Sequence, residues 1–220
     1  MITLDFLPNN ENIKLYQDDE MFRINTDTFA LGEFLNIYRN DVVLDIGTNT
    51  GALLLYASRF NPKKLIGLDI NEKALKLADE NLKMNNINNY ELIQRDANTY
   101  RGEEVDVIIC NPPYFKSREV DRGENKYLRL AKHEENLSLE NLVKTINVNL
   151  KCNGKLFFLF QTSRLFEVYE EFKKNNLVIK ELKFVYDVNK EYSNVVLFKA
   201  VKCANPGVNT LKPLIIDRNK

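Results

Sequence analysis

The chain has 220 residues, 44% hydrophobic and 28% charged, which is long enough to bury a full-sized core and too apolar for a disordered or low-complexity segment. No run approaches the roughly 18 apolar residues of a membrane helix, and Met1-Ile2-Thr3-Leu4-Asp5 lacks the basic and apolar regions of a secretory signal, so a cytoplasmic protein without membrane contact is expected. One histidine and three scattered cysteines (Cys110, Cys152, Cys203) argue against a metal site and a disulfide framework.

The 31 basic and 31 acidic side chains cancel, yet residues 1–50 hold 3 basic and 9 acidic ones while residues 151–220 hold 13 and 7. A zero total therefore leaves room for a basic face that could meet a polyanion.

In chain order, residues 13–17 and 21–25 suggest short strands, and a helix starts near Thr26 and Asp27 with Leu31, Phe34, Leu35 and Tyr38 on one face. Val42 to Ile46 is an apolar run ending at glycine, followed from Gly51 by a helical pattern. Residues 65–69 form a second buried strand, and Asn71 caps a helix whose stripe is Ala74, Leu75, Leu77, Ala78 and Leu82. Strands at 91–95, 105–110 and 155–161 alternate with helices at 138–151 and 163–175. Apolar strands joined by helices predict a doubly wound α/β fold around a mostly parallel sheet. Residues 178–186 and 195–201 read as a closing hairpin, which makes the last strand antiparallel.

In Asp45-Ile46-Gly47-Thr48-Asn49-Thr50-Gly51 the glycines stand where chain passes from strand to helix, so backbone can approach a ligand. The spacing differs from a dinucleotide fingerprint, and an acid at the strand end suits an ammonium better than a pyrophosphate. S-adenosyl-L-methionine carries such an ammonium. Asp69 ends the second strand, where a carboxylate can accept both ribose hydroxyls, and Asp96 follows the third, within reach of an adenine amino group.

Asn111-Pro112-Pro113-Tyr114 directly follows the strand that ends at Cys110. Two prolines fix the backbone and remove donors, leaving the Asn111 amide and the Pro112 carbonyl as rigid acceptors for the two protons of a planar amine. Such an amine is a poor nucleophile because its lone pair is delocalised, and two acceptors push it toward the tetrahedral form that attacks a sulfonium methyl. Orientation and electrostatics suffice for this, without metal. Tyr114 offers a face on which a flipped base can stack. Residues 115–137 are long for a loop, and Lys116 to Lys132 contains six basic side chains, among them Arg118 and Arg122, with three acidic ones. With Phe115 and Lys116, these residues suit a phosphate clamp beside the base. His133 is read as structural and Cys110 as a small core residue.

These motifs resemble class I S-adenosylmethionine-dependent methyltransferases with an N-P-P-Y motif, and within them the bacterial tRNA1(Val) adenine-37 N6 methyltransferases. The narrower likeness rests on Asn25-Thr26-Asp27, Phe29-Ala30-Leu31, Ala131-Lys132-His133-Glu134 and Pro213-Leu214-Ile215. Lys202-Cys203-Ala204-Asn205-Pro206 departs from it where relatives often carry a glycine- and lysine-rich turn. The resemblance implies a seven-stranded sheet in a single domain, with residues 1–40 as extension or lid and 41–220 as catalytic core. It also implies cofactor contacts at Thr26, Asp45, Gly47, Asn49, Gly51, Asp69, Asp96 and Asn111, catalysis at Asn111 to Tyr114, a tRNA partner and a monomer. Three alternatives share the cofactor motifs or the fold: a protein glutamine N5-methyltransferase acting on release factors, a non-catalytic RNA-binding protein, and an NAD oxidoreductase. The first normally carries a helical domain ahead of its sheet. DNA adenine methyltransferases usually add a target-recognition domain, for which the length leaves no room.

Overall fold

A computed structural model describes residues 1–113 and 138–217. Tyr114, Phe115, Lys116, Arg118, Arg122 and His133 lie outside that set. The chain opens with a hairpin, β1 (Ile2–Leu7) and β2 (Asn10–Asp18), followed by α1 (Thr26–Phe34). The first winding is β3 (Val42–Ile46), α2 (Ala52–Ser58), β4 (Lys64–Asp69), α3 (Glu72–Met84) and β5 (Tyr90–Gln94). The second is β6 (Val105–Cys110), α4 (Leu139–Asn149), β7 (Leu150–Gln161), α5 (Leu165–Lys174), β8 (Leu177–Asp187) and β9 (Val195–Lys202), with β10 (Asn209–Thr210) and β11 (Leu214–Ile216) closing the chain.

Strand order is β10-β8-β9-β7-β6-β3-β4-β5, with β11 also on β8. Only β9 runs against its neighbours. The sheet is thus wider than the expected seven strands. β10 and β11 extend it to nine by running parallel along the outer edge of β8, a pairing too short to show as an apolar pattern. An exposed edge would otherwise present unpaired backbone groups.

Period-two alternation sorts each strand between two cores. On β7, Phe157 and Leu159 join Leu31, Leu54 and Tyr56 on the face covered by α1 and α2, while Phe158 and Phe160 join Ile146 and Phe172 under α4 and α5. Burial on both faces explains why these strands read as continuous apolar runs.

Three expected boundaries move. Residues 21–25 form no strand: Met21 N–H closes a turn to the Asp18 carbonyl, and Ile24 N–H donates to the Gln17 side chain at 2.6 Å. The helix predicted over 138–151 stops at Asn149, because Leu150 already pairs with Val105. The helix predicted over 163–175 begins with a 3₁₀ turn, Thr162–Arg164.

Candidate active site

The crevice of the sheet lies between β3 and β6, where strand order reverses, and open α/β sheets bind ligands beyond the carboxyl ends of strands at that point. Register brings the expected residues there: Ile46 pairs with Leu68 on one side and with Cys110 on the other. Gly47, Asp69 and Asn111, each the next residue along its strand, therefore stand level across three neighbouring strands.

The loop between β3 and α2 is held from outside. Gly47 N–H and Thr48 N–H both donate to the Leu68 carbonyl, at 2.8 and 3.0 Å. Asn49 N–H donates to one oxygen of Asp69 at 2.8 Å, and Asn71 N–H to the other at 2.9 Å. Gly47 and Gly51 take φ of 77° and 81°, in the left-handed region where L side chains are strained. A Cβ on Gly47 would meet no heavy atom within 4 Å, so open space faces this backbone. Asn49 also donates its side-chain amide to the Phe22 carbonyl at 2.6 Å, bringing the segment before α1 to the loop. Thr26 opens α1 beside Asn25, whose side chain accepts from Asp27 N–H and Thr28 N–H.

Asp45 sits deeper than an open ammonium contact requires. It is 0% exposed, and neither carboxylate oxygen accepts a hydrogen bond among the described residues. Burial pushes its pKa up to about 7; the Thr48 hydroxyl opposes the rise and the charge of Asp69 adds to it. Asp69 is also raised, by burial first, against the backbone N–H groups of Asn71, Asn49 and Ile70. An ionised carboxylate has about four lone-pair sites, so Asp69 retains capacity beyond its two short backbone bonds. An orphaned buried carboxylate beside open backbone space fits a cationic, hydroxyl-bearing ligand such as S-adenosylmethionine. Asp96 lies two residues past β5, where one oxygen accepts Asn98 N–H at 2.8 Å.

On the other side of the crevice Asn111 and Pro113 are half-buried and Pro112 is buried. A cavity of about 290 Å³ opens on the same sheet edge, lined by Asp27, Gln161, Ser163, Tyr192, Ser193, Asn194 and Val195. Asp27 is only 5% exposed there, and Ser193 donates within a cluster that includes the Val185 and Val195 carbonyls. Sequence reading did not find this lining; its nearest signal was the polar stretch 187–194.

Also unforeseen is fully buried Asn81. It accepts from Tyr16 N–H at 2.6 Å and donates to the Tyr16 carbonyl at 3.0 Å and the Thr50 carbonyl at 2.9 Å. Asn85, one turn later, repeats the exchange at Lys14. Two asparagines one helical turn apart thus act as a strand partner for the free edge of β2, and the spacing Asn81-Leu82-Lys83-Met84-Asn85 was the available signal. Among the described residues no group of three or more His, Cys, Asp or Glu could hold a metal, and no helix is long and apolar enough to cross a membrane.

The fold is that of the class I methyltransferases. Over 84% of this chain it matches a ribosomal protein methylase of Lactobacillus delbrueckii (TM-score 0.61, 15% identity, 82% of that chain), and over 93% a tRNA methyltransferase of Methanocaldococcus jannaschii (TM-score 0.64, 16% identity, 57% of that chain). The family model for the methyltransferase small domain matches residues 22–186, and the chain belongs to that family, whose cofactor is S-adenosyl-L-methionine.

Relatives fall on both sides of the substrate question. A candidate protein N5-glutamine methyltransferase of Methanocaldococcus jannaschii is 36% identical over 55% of this chain and 60% of its own length. The release factor glutamine methyltransferase of Fusobacterium nucleatum is 29% identical over 68% and 44%, and the tRNA1(Val) adenine-37 N6 methyltransferase of Cytophaga hutchinsonii 25% over 42% and 38%. The chain thus spans less than two thirds of each of these relatives.

Proposed function

We propose that this chain is an S-adenosylmethionine-dependent methyltransferase that modifies the exocyclic N6 of adenine in RNA, with tRNA as the carrier. The observation that carries the reading is the level placement of Asn111-Pro112-Pro113 and Gly47 across the crevice. The cofactor supplies a sulfonium methyl group that an amine can attack in line. Gly47 and Gly51 let backbone lie against it, Asp69 accepts its ribose hydroxyls, and Asp96 takes the adenine amine. Asp45, beneath the loop, provides negative potential for the ammonium, Asn49 ties Phe22 and the segment before α1 to the loop, and Thr26 at the start of α1 completes the cofactor contacts. Asn111 and the Pro112 carbonyl accept the protons of the target amine and turn its lone pair toward the methyl group. Tyr114 and Phe115 stack the base, and Lys116, Arg118 and Arg122 neutralise phosphates.

Two features support RNA: similarity to tRNA1(Val) methyltransferases and the basic C-terminal third. Similarity to release factor methyltransferases favours a second reading, in which the planar nitrogen belongs to a protein glutamine. The test incubates the chain with labelled cofactor and either unmodified tRNA or release factor. The expected result is N6-methyladenosine in tRNA nucleosides. Binding should weaken with salt by about 0.7 log units per log unit of salt for each single-strand phosphate contact, less so when Arg118 and Arg122 become alanine. Label on release factor alone, with flat salt dependence, would replace the RNA reading with the glutamine one.

A further inference from the structure

Sequence spacing gives the three cysteines no common role, but the fold brings two of them together. β7 and β9 are antiparallel neighbours with Lys155 opposite Val201, so the chain just before Lys155 lies beside the chain just after Val201. Pairing of β7 with β6 jumps from Leu150 to Lys155, and Asn153 takes φ of 65°, so Cys152 sits in a bulge rather than a regular ladder. Cys203 leaves β9 with φ of 61°, its N–H donating to the Asn176 carbonyl at 2.9 Å. Lys202 closes this corner by donating to the Leu150 carbonyl at 2.7 Å and the Asn147 carbonyl at 2.6 Å. Both thiols are exposed, and the antiparallel register carried two residues beyond Lys155 and Val201 sets Cys203 level with Asn153, next to Cys152.

We propose that Cys152 and Cys203 form a redox-modifiable dithiol, which a small organic disulfide converts into an intramolecular disulfide joining the bulge of β7 to the end of β9. Exposure admits the oxidant, and thiols on neighbouring strand ends, one of them in a bulge, need no large backbone movement to reach bonding distance. Nearness to Cys152 is the first cause that pushes the Cys203 thiol up, followed by desolvation and the charge of Cys152, against the opposing charge of Lys202.

The exchange balances. One thiol of the pair gives its proton to solvent and, as thiolate, attacks one sulfur of the organic disulfide, forming a mixed disulfide and expelling one thiolate, which takes up a proton. The other thiol then gives its proton to solvent and attacks the protein sulfur of the mixed disulfide, expelling the second thiolate, which is protonated in turn. Two protein thiols are oxidised and one disulfide is reduced to two thiols. Cys110 is buried in the core between sheet and α4 and takes no part. The site lies at the N-terminal end of β7, opposite the edge that carries Gly47 and Asn111, so it does not rest on the methyltransferase reading.

The experiment treats the native full chain with oxidised glutathione at mildly alkaline pH, quenches with acid, alkylates remaining thiols, and reads intact mass and linked peptides. The expected product is lighter than the reduced chain by two hydrogens, with Cys152 and Cys203 in one cross-linked peptide pair and no retained glutathione. Its ratio to mixed adduct should exceed that of the urea-unfolded chain by on the order of tenfold or more, because folding raises the effective concentration of one thiol at the other. Cys152→Ser and Cys203→Ser should each stop at a single glutathione adduct on the surviving thiol. Stable adducts on both native cysteines, disulfide-linked dimers, or equal ratios in folded and unfolded chain would each overturn the proposal.

Discussion

The crevice divides the working edge of the sheet into two halves that are built differently. On the β3–β4–β5 side each turn is tied by short bonds to itself or to the neighbouring strand end: Gly47 and Thr48 to the Leu68 carbonyl, Asn49 and Asn71 to Asp69, Arg95 N–H to the Asp69 carbonyl at 3.0 Å, and Asn98 to Asp96. On the β6–β7 side, the rings of Pro112 and Pro113 restrict the backbone after Cys110, and the cavity behind it draws on α1, the end of β7 and the turn before β9. The first half is held by hydrogen bonds among three adjacent strand ends. The second is assembled from distant segments, which is where specificity can vary without disturbing the cofactor side.

The largest expected effect tests the cofactor half at Asp45. Its ordinary pKa is 3.8 and its folded value about 7, so folding takes up a proton between those values and stability falls as pH rises through that window. Asp45→Asn removes the buried charge. Without cofactor, the variant should be more stable than the parent at pH 8 by up to about 4 kcal/mol, a gap that shrinks toward pH 4, and it should bind S-adenosylmethionine more weakly. Urea unfolding at several pH values measures this, and parallel pH profiles for the two proteins would mean Asp45 stays ionised in the fold.

Next comes the acceptor half. Asn111→Ala should bind cofactor normally but lose turnover by on the order of 10²- to 10³-fold, the usual effect of deleting one oriented polar group at a reacting centre. Asn111→Asp should keep partial activity. Single-turnover assays decide, and near-normal turnover in Asn111→Ala would remove the amine-polarising role.

Asp69→Ala follows, with cofactor affinity expected to drop by on the order of 1.5 to 3 kcal/mol. The carboxylate also holds Asn49 N–H and Asn71 N–H, so the variant should lose some stability as well, a cost not foreseen when Asp69 was read only as a ribose ligand. Calorimetric titration beside thermal unfolding separates the two losses. An unchanged dissociation constant would take Asp69 out of the pocket.

The same division governs what could be read from sequence. The proposed cofactor half can be read because its residues are regularly placed: apolar strand, Asp45, Gly47 and Gly51 occupy one short stretch, and Asp69 and Asp96 recur after the next two strands. Asn111-Pro112-Pro113 is legible for the same reason. The cavity lining is not, since Asp27, Gln161 and Ser193 meet only through the pairing of β7 with β9 and the packing of α1 on both, and carry no shared spacing. Residues 21–25 misled because an extended, partly apolar segment satisfies its backbone through Gln17 and Asn49 side chains rather than through a ladder. β10 and β11 escaped because strands of two and three residues are too short to show a period.

The smallest expected effect concerns how the N-terminal hairpin reaches the cofactor half. Asn81 touches no ligand position, yet its amide joins the Tyr16 carbonyl on β2 to the Thr50 carbonyl in the glycine loop. Asn81→Ala leaves these buried groups and Tyr16 N–H without partners, for an expected stability loss of about 1 to 3 kcal/mol. Asn85 makes the same exchange with Lys14 at a solvent-exposed position and does not contact the loop, so Asn85→Ala should cost only about 0.5 to 1.5 kcal/mol. The pair separates mere attachment of the hairpin from positioning of the loop. If Asn81 positions the loop, its variant should raise KM for S-adenosylmethionine with little change in kcat, while the Asn85 variant leaves both alone. Equal shifts in KM for the two would mean that both act only by holding the hairpin on α3, and that the glycine loop keeps its shape through Leu68 and Asp69 alone.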